Sequence, residues 1–226
     1  MSGNMYDWVG IRRNFIGGEC PHKCSYCYVK SMHYPAVKAR YSGKIRLFEN
    51  EFKKPLKSDS GKPIFIGSCF DMWAKEVPDD MILKVLYHLR KFDNRYVFQT
   101  KKTKRLWVFT SMIHKSDILG TTIETDDCEL LKKISTAPSP FNRAKHLSLF
   151  LDHERMVTIE PVLQFNLENL VQIIRTAEPT WVNIGADSKK HGLPEPKWQK
   201  VQELIVELKK FTEVRCKSNL NRLKRS

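Results

Sequence analysis

Three cysteines stand in the run Cys20-Pro21-His22-Lys23-Cys24-Ser25-Tyr26-Cys27, a CxxxCxxC spacing. Thiolates this close can ligate three irons of a 4Fe–4S cube and leave the fourth iron without a protein ligand. An open iron is where a small molecule can bind, whereas a fully ligated cluster normally only passes electrons. Zinc is the rival reading, because Cys-x-x-Cys is also zinc spacing and His22 lies inside the run. A structural zinc site usually draws its ligands from two separated pairs, and the sequence holds no second Cys-x-x-Cys or closely spaced His pair. Cys69, Cys128 and Cys216 stand alone and far apart, and a chain of 226 residues can build a core without disulfide staples.

The elements around these residues alternate short apolar strands with amphipathic helices. The stretch 64–68 reads as a buried strand. Pro78-Asp79-Asp80 opens a helix, since Pro suits a first turn and acids suit its positive end. Ile82, Val85, Leu86 and Leu89 then recur at helical spacing. Strands follow over 95–100 and 118–124, with a short helix over 104–114 between them and a helix-rich stretch over 126–153. The strand over 156–160 is stopped by Pro161, which cannot donate to a ladder. Asn166 caps a helix carrying Leu170, Val171, Ile173, Ile174 and Ala177, a strand over 181–184 ends at Gly185, and Pro196 starts a helix with an apolar stripe from Trp198 to Phe211. Residues 15–18 read as the first strand and 213–216 as a last one.

Alternating strands and helices imply an α/β fold with a parallel sheet and right-handed crossovers. Six or seven units fall short of eight, so the expectation is an open, partial (β/α)6 barrel in a single domain over 1–214, with a basic tail over 215–226 that is either separable or packed on it. Chemistry in such folds sits at the carboxyl ends of the strands, where the cysteine run follows the first strand directly.

The chain carries a formal net charge of +14 and 41% hydrophobic residues. Basic residues cluster over 38–46, 53–57, 101–105 and in the tail. Such a balance attracts polyanions, nucleic acid first among them, although general solubility explains it equally well. No apolar stretch approaches transmembrane length, which excludes a membrane partner of that kind. The N-terminal residues lack a secretory pattern and the cysteines are unpaired, so the expected setting is the reducing cytoplasm.

The spacing of Cys20, Cys24 and Cys27, with Tyr26 just before the last, resembles the signature of the radical SAM superfamily. Residues 67–73, 98–102, 119–124, 157–162 and 181–188 resemble strand ends of small phage-associated three-cysteine proteins within it, in the same order. A looser likeness is to the spore photoproduct lyase branch, which repairs DNA. The resemblance implies one 4Fe–4S cluster on the three cysteines, whose open iron chelates S-adenosylmethionine (SAM). An electron from a donor such as flavodoxin or ferredoxin would cleave SAM to methionine and a 5′-deoxyadenosyl radical that abstracts hydrogen. The cofactor does that chemistry, while the protein binds it, aims it and keeps water and oxygen away.

Carried onto this sequence, the resemblance sets Tyr26 beside the adenine. Ser68 and Asp71 stand where the methionyl amino group is held, although the usual Gly-Gly-Glu is absent. Thr122 and Glu124 would meet the ribose, and Glu160 ribose or substrate; each such polar residue is as readily a solvated loop side chain. Lys101 and Lys102 could neutralise a substrate carboxylate or phosphate, with Asp187 and Ser188 at the same mouth. Packing is the commoner role for Trp73, an inert thiol for Cys69, and a solvent-facing ring for His22; Cys128 and Cys216 read as structural.

Three functions stay open at this point. The first is a radical SAM enzyme acting on nucleic acid or a nucleotide, in modification or repair. The second is the same chemistry on a small molecule or peptide. The third is a metal-stabilised nucleic-acid-binding module without catalysis.

Overall fold

The computed structural model describes residues 6–58 and 61–225. Its elements run β1 (Arg12–Arg13), β2 (Ile16–Gly17), α1 (Pro35–Arg40), β3 (Arg46–Leu47), β4 (Ile64–Ile66), α2 (Asp79–Leu89), β5 (Tyr96–Gln99) and α3 (Thr103–Val108). They continue through β6 (Ile118–Thr122), α4 (Cys128–Ile134), α5 (Pro140–Leu147), β7 (Glu154–Ile159), α6 (Leu167–Thr176), β8 (Trp181–Ile184), α7 (Trp198–Lys209) and β9 (Glu213–Cys216) to a 3-10 helix over Ser218–Arg225. Seven strands form one sheet in the order β1-β4-β5-β6-β7-β8-β9. Every neighbouring pair is parallel, and β1 and β9 remain as its two edges. This is the open, partial barrel expected, with one more strand than six.

Side chains of a strand alternate between faces, so the two faces can be read separately. Ile64, Ile66, Tyr96, Phe98, Leu119, Val157, Ile159, Val182 and Ile184 face the helical layer and join the main core with Val85, Leu86, Leu170 and Leu204. The other face carries Phe65, Val97, Ile118, Met156 and Trp181, closed at the amino ends of the strands by Tyr6 with Trp8 beside it. Further along the same face come Gln99, Thr122, Thr158 and Glu160. Apolar residues thus plug one end of the barrel and polar residues open the other. Helix α2 buries Ile82, Val85, Leu86 and Leu89 completely, each side chain adding about 1.5–3 kcal/mol. Asp127 caps α4 through the amides of Glu129 and Leu130, and Asn166 caps α6 through the amide of Asn169 at 3.1 Å.

One expectation is corrected. Residues 15–18 do not enter the main sheet: β2 pairs antiparallel with β3, Ile16 opposite Leu47 and Gly17 opposite Arg46, while β1 takes the sheet edge. Gly18, at φ +105, allows this, since a Cβ there would sit 2.5 Å from the Lys44 carbonyl oxygen. The boundary drawn after residue 214 falls inside β9, which pairs with β8 through Arg215 and Cys216 as well as Glu213 and Val214. Beyond it Leu220 and Leu223 are buried in the main core, so this basic stretch is part of the fold. Among the described residues no helix is long and apolar enough to cross a membrane.

Candidate active site

A cavity of about 440 Å3 opens at the carboxyl ends of the strands, and Cys20, Cys24 and Cys27 all line it. The loop bearing them is fixed by His22, which is 6% exposed rather than solvent-facing. Its Nε2 lies 2.8 Å from Asp71 Oδ2, and its carbonyl accepts from Thr136 N at 2.9 Å and Ser135 Oγ at 3.1 Å. Ser25 N donates to Ile134 O at 2.8 Å, tying the loop to the end of α4. Asp71 also accepts from Thr100 Oγ1 at 2.8 Å, Lys101 N at 2.9 Å and Trp73 N at 3.0 Å. Burial would raise the Asp71 carboxyl, but the hydrogen bond and charge of His22 with these donors hold it below the ordinary range.

Three thiols on one short loop are the soft donor type that an iron–sulfur cluster takes. Burial, with the charges of Asp71 and Cys24 added, pushes the Cys20 thiol up to about 12, and burial followed by Cys24 raises Cys27. A cationic centre beside Cys20 and Cys27 would favour their thiolates against that burial. Ser135 Oγ lies 3.2 Å from Cys24 Sγ, a hydroxyl placed to share a hydrogen bond with that sulfur. Among the described residues no group of three or more His, Cys, Asp or Glu side chains is placed to hold a metal ion. Cys69 also lines the cavity, with its sulfur 3.5 Å from the Tyr28 hydroxyl.

The expected site residues divide into two layers. Tyr26, Ser68, Asp71, Lys101, Thr122, Glu160 and Asp187 line the cavity, whereas Glu124 and Lys102 do not. Glu124 is fully buried and accepts from Tyr26, Lys101 and Arg143, the last at 2.7 Å. Burial alone would raise its carboxyl, but Arg143 and Lys101 outweigh it and hold it far below the carboxylate range. Glu124 thus fixes Tyr26 and Lys101 from behind, and the Lys101 ammonium sits 5.3 Å over the Tyr26 ring. The Lys102 amide donates to Thr100 Oγ1 at 2.8 Å where α3 begins.

Thr122 Oγ1 accepts from Gln99 Nε2 at 3.0 Å, and Ser68 Oγ from Asn14 Nδ2 at 3.2 Å. Glu160 accepts from Lys217 Nζ at 2.6 Å and Asn219 Nδ2 at 2.8 Å. Asp187 is tied into its own turn, accepting from Lys189 N at 3.1 Å and lying 2.7 Å from His191 Nδ1. Ser188 Oγ reaches Glu160 at 3.3 Å. Trp73 is 1% exposed and packs edge-on against Phe98, so it belongs to the core. Cys128 and Cys216 are exposed.

Residues 17–205 match the profile of a family described as Protein of unknown function (DUF5131). The chain belongs to that family. No curated protein matches it in sequence. In structure it is similar to spore photoproduct lyase complexed with dinucleoside spore photoproduct, at 10% identity and a TM-score of 0.54, over 87% of this chain and 60% of that one. It is also similar to a variant of that lyase with bound AdoMet and dinucleoside spore photoproduct, at 10% identity and a TM-score of 0.53, over 93% of this chain and 65% of that one. This DUF5131 chain therefore shares the lyase fold and spans under two thirds of the lyase's length.

Several site residues of the DUF5131 chain escaped sequence reading. Arg143 lies in an amphipathic helix where Arg normally reads as surface, yet it is fully buried. Asn14 bridges Ser68 to Cys69, whose amide donates to Asn14 Oδ1 at 2.9 Å. Lys217 and Asn219 come from the supposed tail. Gly185 makes their contact with Glu160 possible, because a Cβ there would lie 2.8 Å from Glu160 Oε1 and 3.0 Å from Asn219 Oδ1. Gly185→Ala is expected to push Glu160 off its partners and cost about 1–3 kcal/mol through overpacking. Urea denaturation measures the loss, and an unchanged midpoint would show that the network has room to spare.

Proposed function

We propose that this chain is a radical SAM enzyme, of the small phage-associated kind, that abstracts hydrogen from nucleic acid or a nucleotide. One observation carries the reading: three cysteines at CxxxCxxC spacing share a cavity with strand-end polar side chains at the carboxyl end of a parallel sheet. Cys20, Cys24 and Cys27 would hold a 4Fe–4S cluster, with one iron open to SAM. When bound, that pair supplies a 5′-deoxyadenosyl radical by reductive cleavage of the SAM sulfonium. The electron comes from outside the chain, from a carrier such as flavodoxin or ferredoxin, and a cytoplasmic setting keeps the thiols reduced.

The chain's own work is placement. Tyr26, locked by Glu124, presents a flat wall to the adenine, and Thr122 and Glu160 offer acceptors to the ribose hydroxyls. Ser68 faces the methionyl end. Asp71, beside it in the cavity wall, holds His22 and so the cysteine loop, while Glu124 holds Tyr26 from behind. Lys101 brings a cation to a carboxylate or phosphate at the mouth. The AdoMet bound in a protein of the same fold supports SAM as the ligand, and the net charge of +14 supports a polyanionic substrate.

Anaerobic preparation followed by iron and sulfide analysis and a SAM cleavage assay with dithionite tests this. The expected result is a brown protein with about four irons and four sulfides per chain that yields 5′-deoxyadenosine and methionine. One zinc per chain and no cleavage would instead make it a metal-stabilised binding module. Substrate-dependent 5′-deoxyadenosine formation from oligonucleotide, nucleotide and peptide pools then separates substrate classes.

A further inference from the structure

The segment 34–57 carries seven Lys or Arg against two Glu, and both acids are already engaged. Glu51 pairs with Arg40 at 2.8 Å and Lys54 at 2.7 Å, and Glu49 pairs with Lys84 at 2.8 Å. Arg46 gathers the rest into a knot by donating to the carbonyls of Ala39 at 2.7 Å, Ser42 at 3.0 Å and Lys44 at 3.1 Å. Lys38, in the last turn of α1 next to Ala39, and Lys44, on the turn after it, flank the carbonyls that Arg46 gathers, and both are exposed. Among the described residues no carboxylate pairs with either. Tyr34, one helical turn before Lys38, is 74% exposed.

This knot is bolted to the site. Gly18 N donates to Arg40 O at 3.1 Å and Glu19 N to Gly43 O at 2.9 Å, immediately before Cys20. On its other side Arg40 Nη2 donates to Asn14 O at 3.1 Å, and Asn14 carries Ser68 and Cys69 of the cavity wall. Cations carried on a segment bonded to the start of the cysteine loop, with an exposed aromatic ring among them, match a chain of phosphates with unpaired bases between them.

We propose that Tyr34, Lys38, Lys44 and Arg46 form a polynucleotide-binding face that seats the phosphates next to the reacting nucleotide, so the substrate is a polymer and not a free nucleotide. This rests on the nucleic-acid version of the proposed function, and it selects within it.

The test is fluorescence anisotropy of labelled single-stranded DNA, duplex DNA and RNA 12-mers with cluster-loaded protein across a salt series. Lys38→Glu/Lys44→Glu is expected to weaken binding about tenfold or more at low salt and to lower the salt slope by about 2. Tyr34→Ala should weaken single strands more than duplex. Lys91→Glu/Lys209→Glu, with the same charge change at the opposite end of the helices, should bind within about twofold of wild type. Unaltered iron and sulfide content shows that the Lys38/Lys44 variant has folded. Wild-type-like binding by that variant overturns the face, as does displacement of the oligonucleotide by polyglutamate of equal charge, which reassigns it to an acidic protein. Wild type that cleaves SAM but binds no 12-mer at low salt sinks the polymer and leaves the radical chemistry standing. Binding lost on Lys38/Lys44 replacement in a protein that never cleaves SAM keeps the face and sinks the chemistry.

Discussion

Cys24→Ala is expected to give a folded, colourless protein that neither holds iron nor cleaves SAM. The loop does not depend on the thiol for its shape: His22 is anchored on Asp71, and Ser25 and Thr136 close backbone bonds across to residues 134 and 22. What disappears is a ligand. Losing an outer-sphere partner costs roughly 10- to 100-fold in metal affinity, and losing one of three thiolates exceeds that. Cys20→Ala and Cys27→Ala should behave alike, while Cys128→Ala and Cys216→Ala, at exposed positions, should stay brown and active. Cys69→Ala is the sharper control, since that sulfur shares the cavity. Full iron content in Cys69→Ala leaves an iron open for SAM. Loss of the cluster there would mean a fourth protein ligand, and the radical mechanism would have no starting point.

The cysteine run and the strands β4 to β8 were legible because their signals are local: spacing, short apolar runs and stop residues. The first strand was misread because Phe15, Ile16 and the two glycines look like a buried strand, whereas the glycines serve close contact with Phe48 and the Lys44 carbonyl. The inner face was written in the sequence as a gradient, Met156-Thr158-Glu160 running out of β7 and Val97-Gln99-Lys101 running out of β5, two strands away, but only pairing register turns that alternation into a floor and a mouth. Arg143 could not be read, because its meaning depends on Glu124, 19 residues away in the loop after β6. From its charges the terminal stretch looked separable, with packing as the open alternative. Its two leucines at Leu220 and Leu223, three apart, were the missed sign of a packed turn. Lys217 and Arg222 are there to meet Glu160 at 2.6 Å and Glu195 at 2.7 Å.

The pairing at Glu124 gives the second large effect. Glu124→Gln keeps the shape but leaves Arg143, fully buried, and Lys101 without a counter-charge. Breaking a buried pair from one side costs about 3–5 kcal/mol, which for a chain of this size lowers Tm by about 6–20 °C. Glu124→Gln/Arg143→Met, which removes both ends, should recover part of that loss, a non-additivity that urea denaturation reads directly. The acid limb carries a second signature. Glu124 ionises well below its unfolded value of about 4.3, so its pairing stabilises the fold above that pH and is lost as pH falls toward the folded value. Wild type should therefore lose stability more steeply below pH ~4.3 than Glu124→Gln does. Equal acid slopes together with an unchanged midpoint would mean that the carboxylate is not what holds Tyr26 and Lys101 at the cavity, and the wall assigned to the adenine would lose its support.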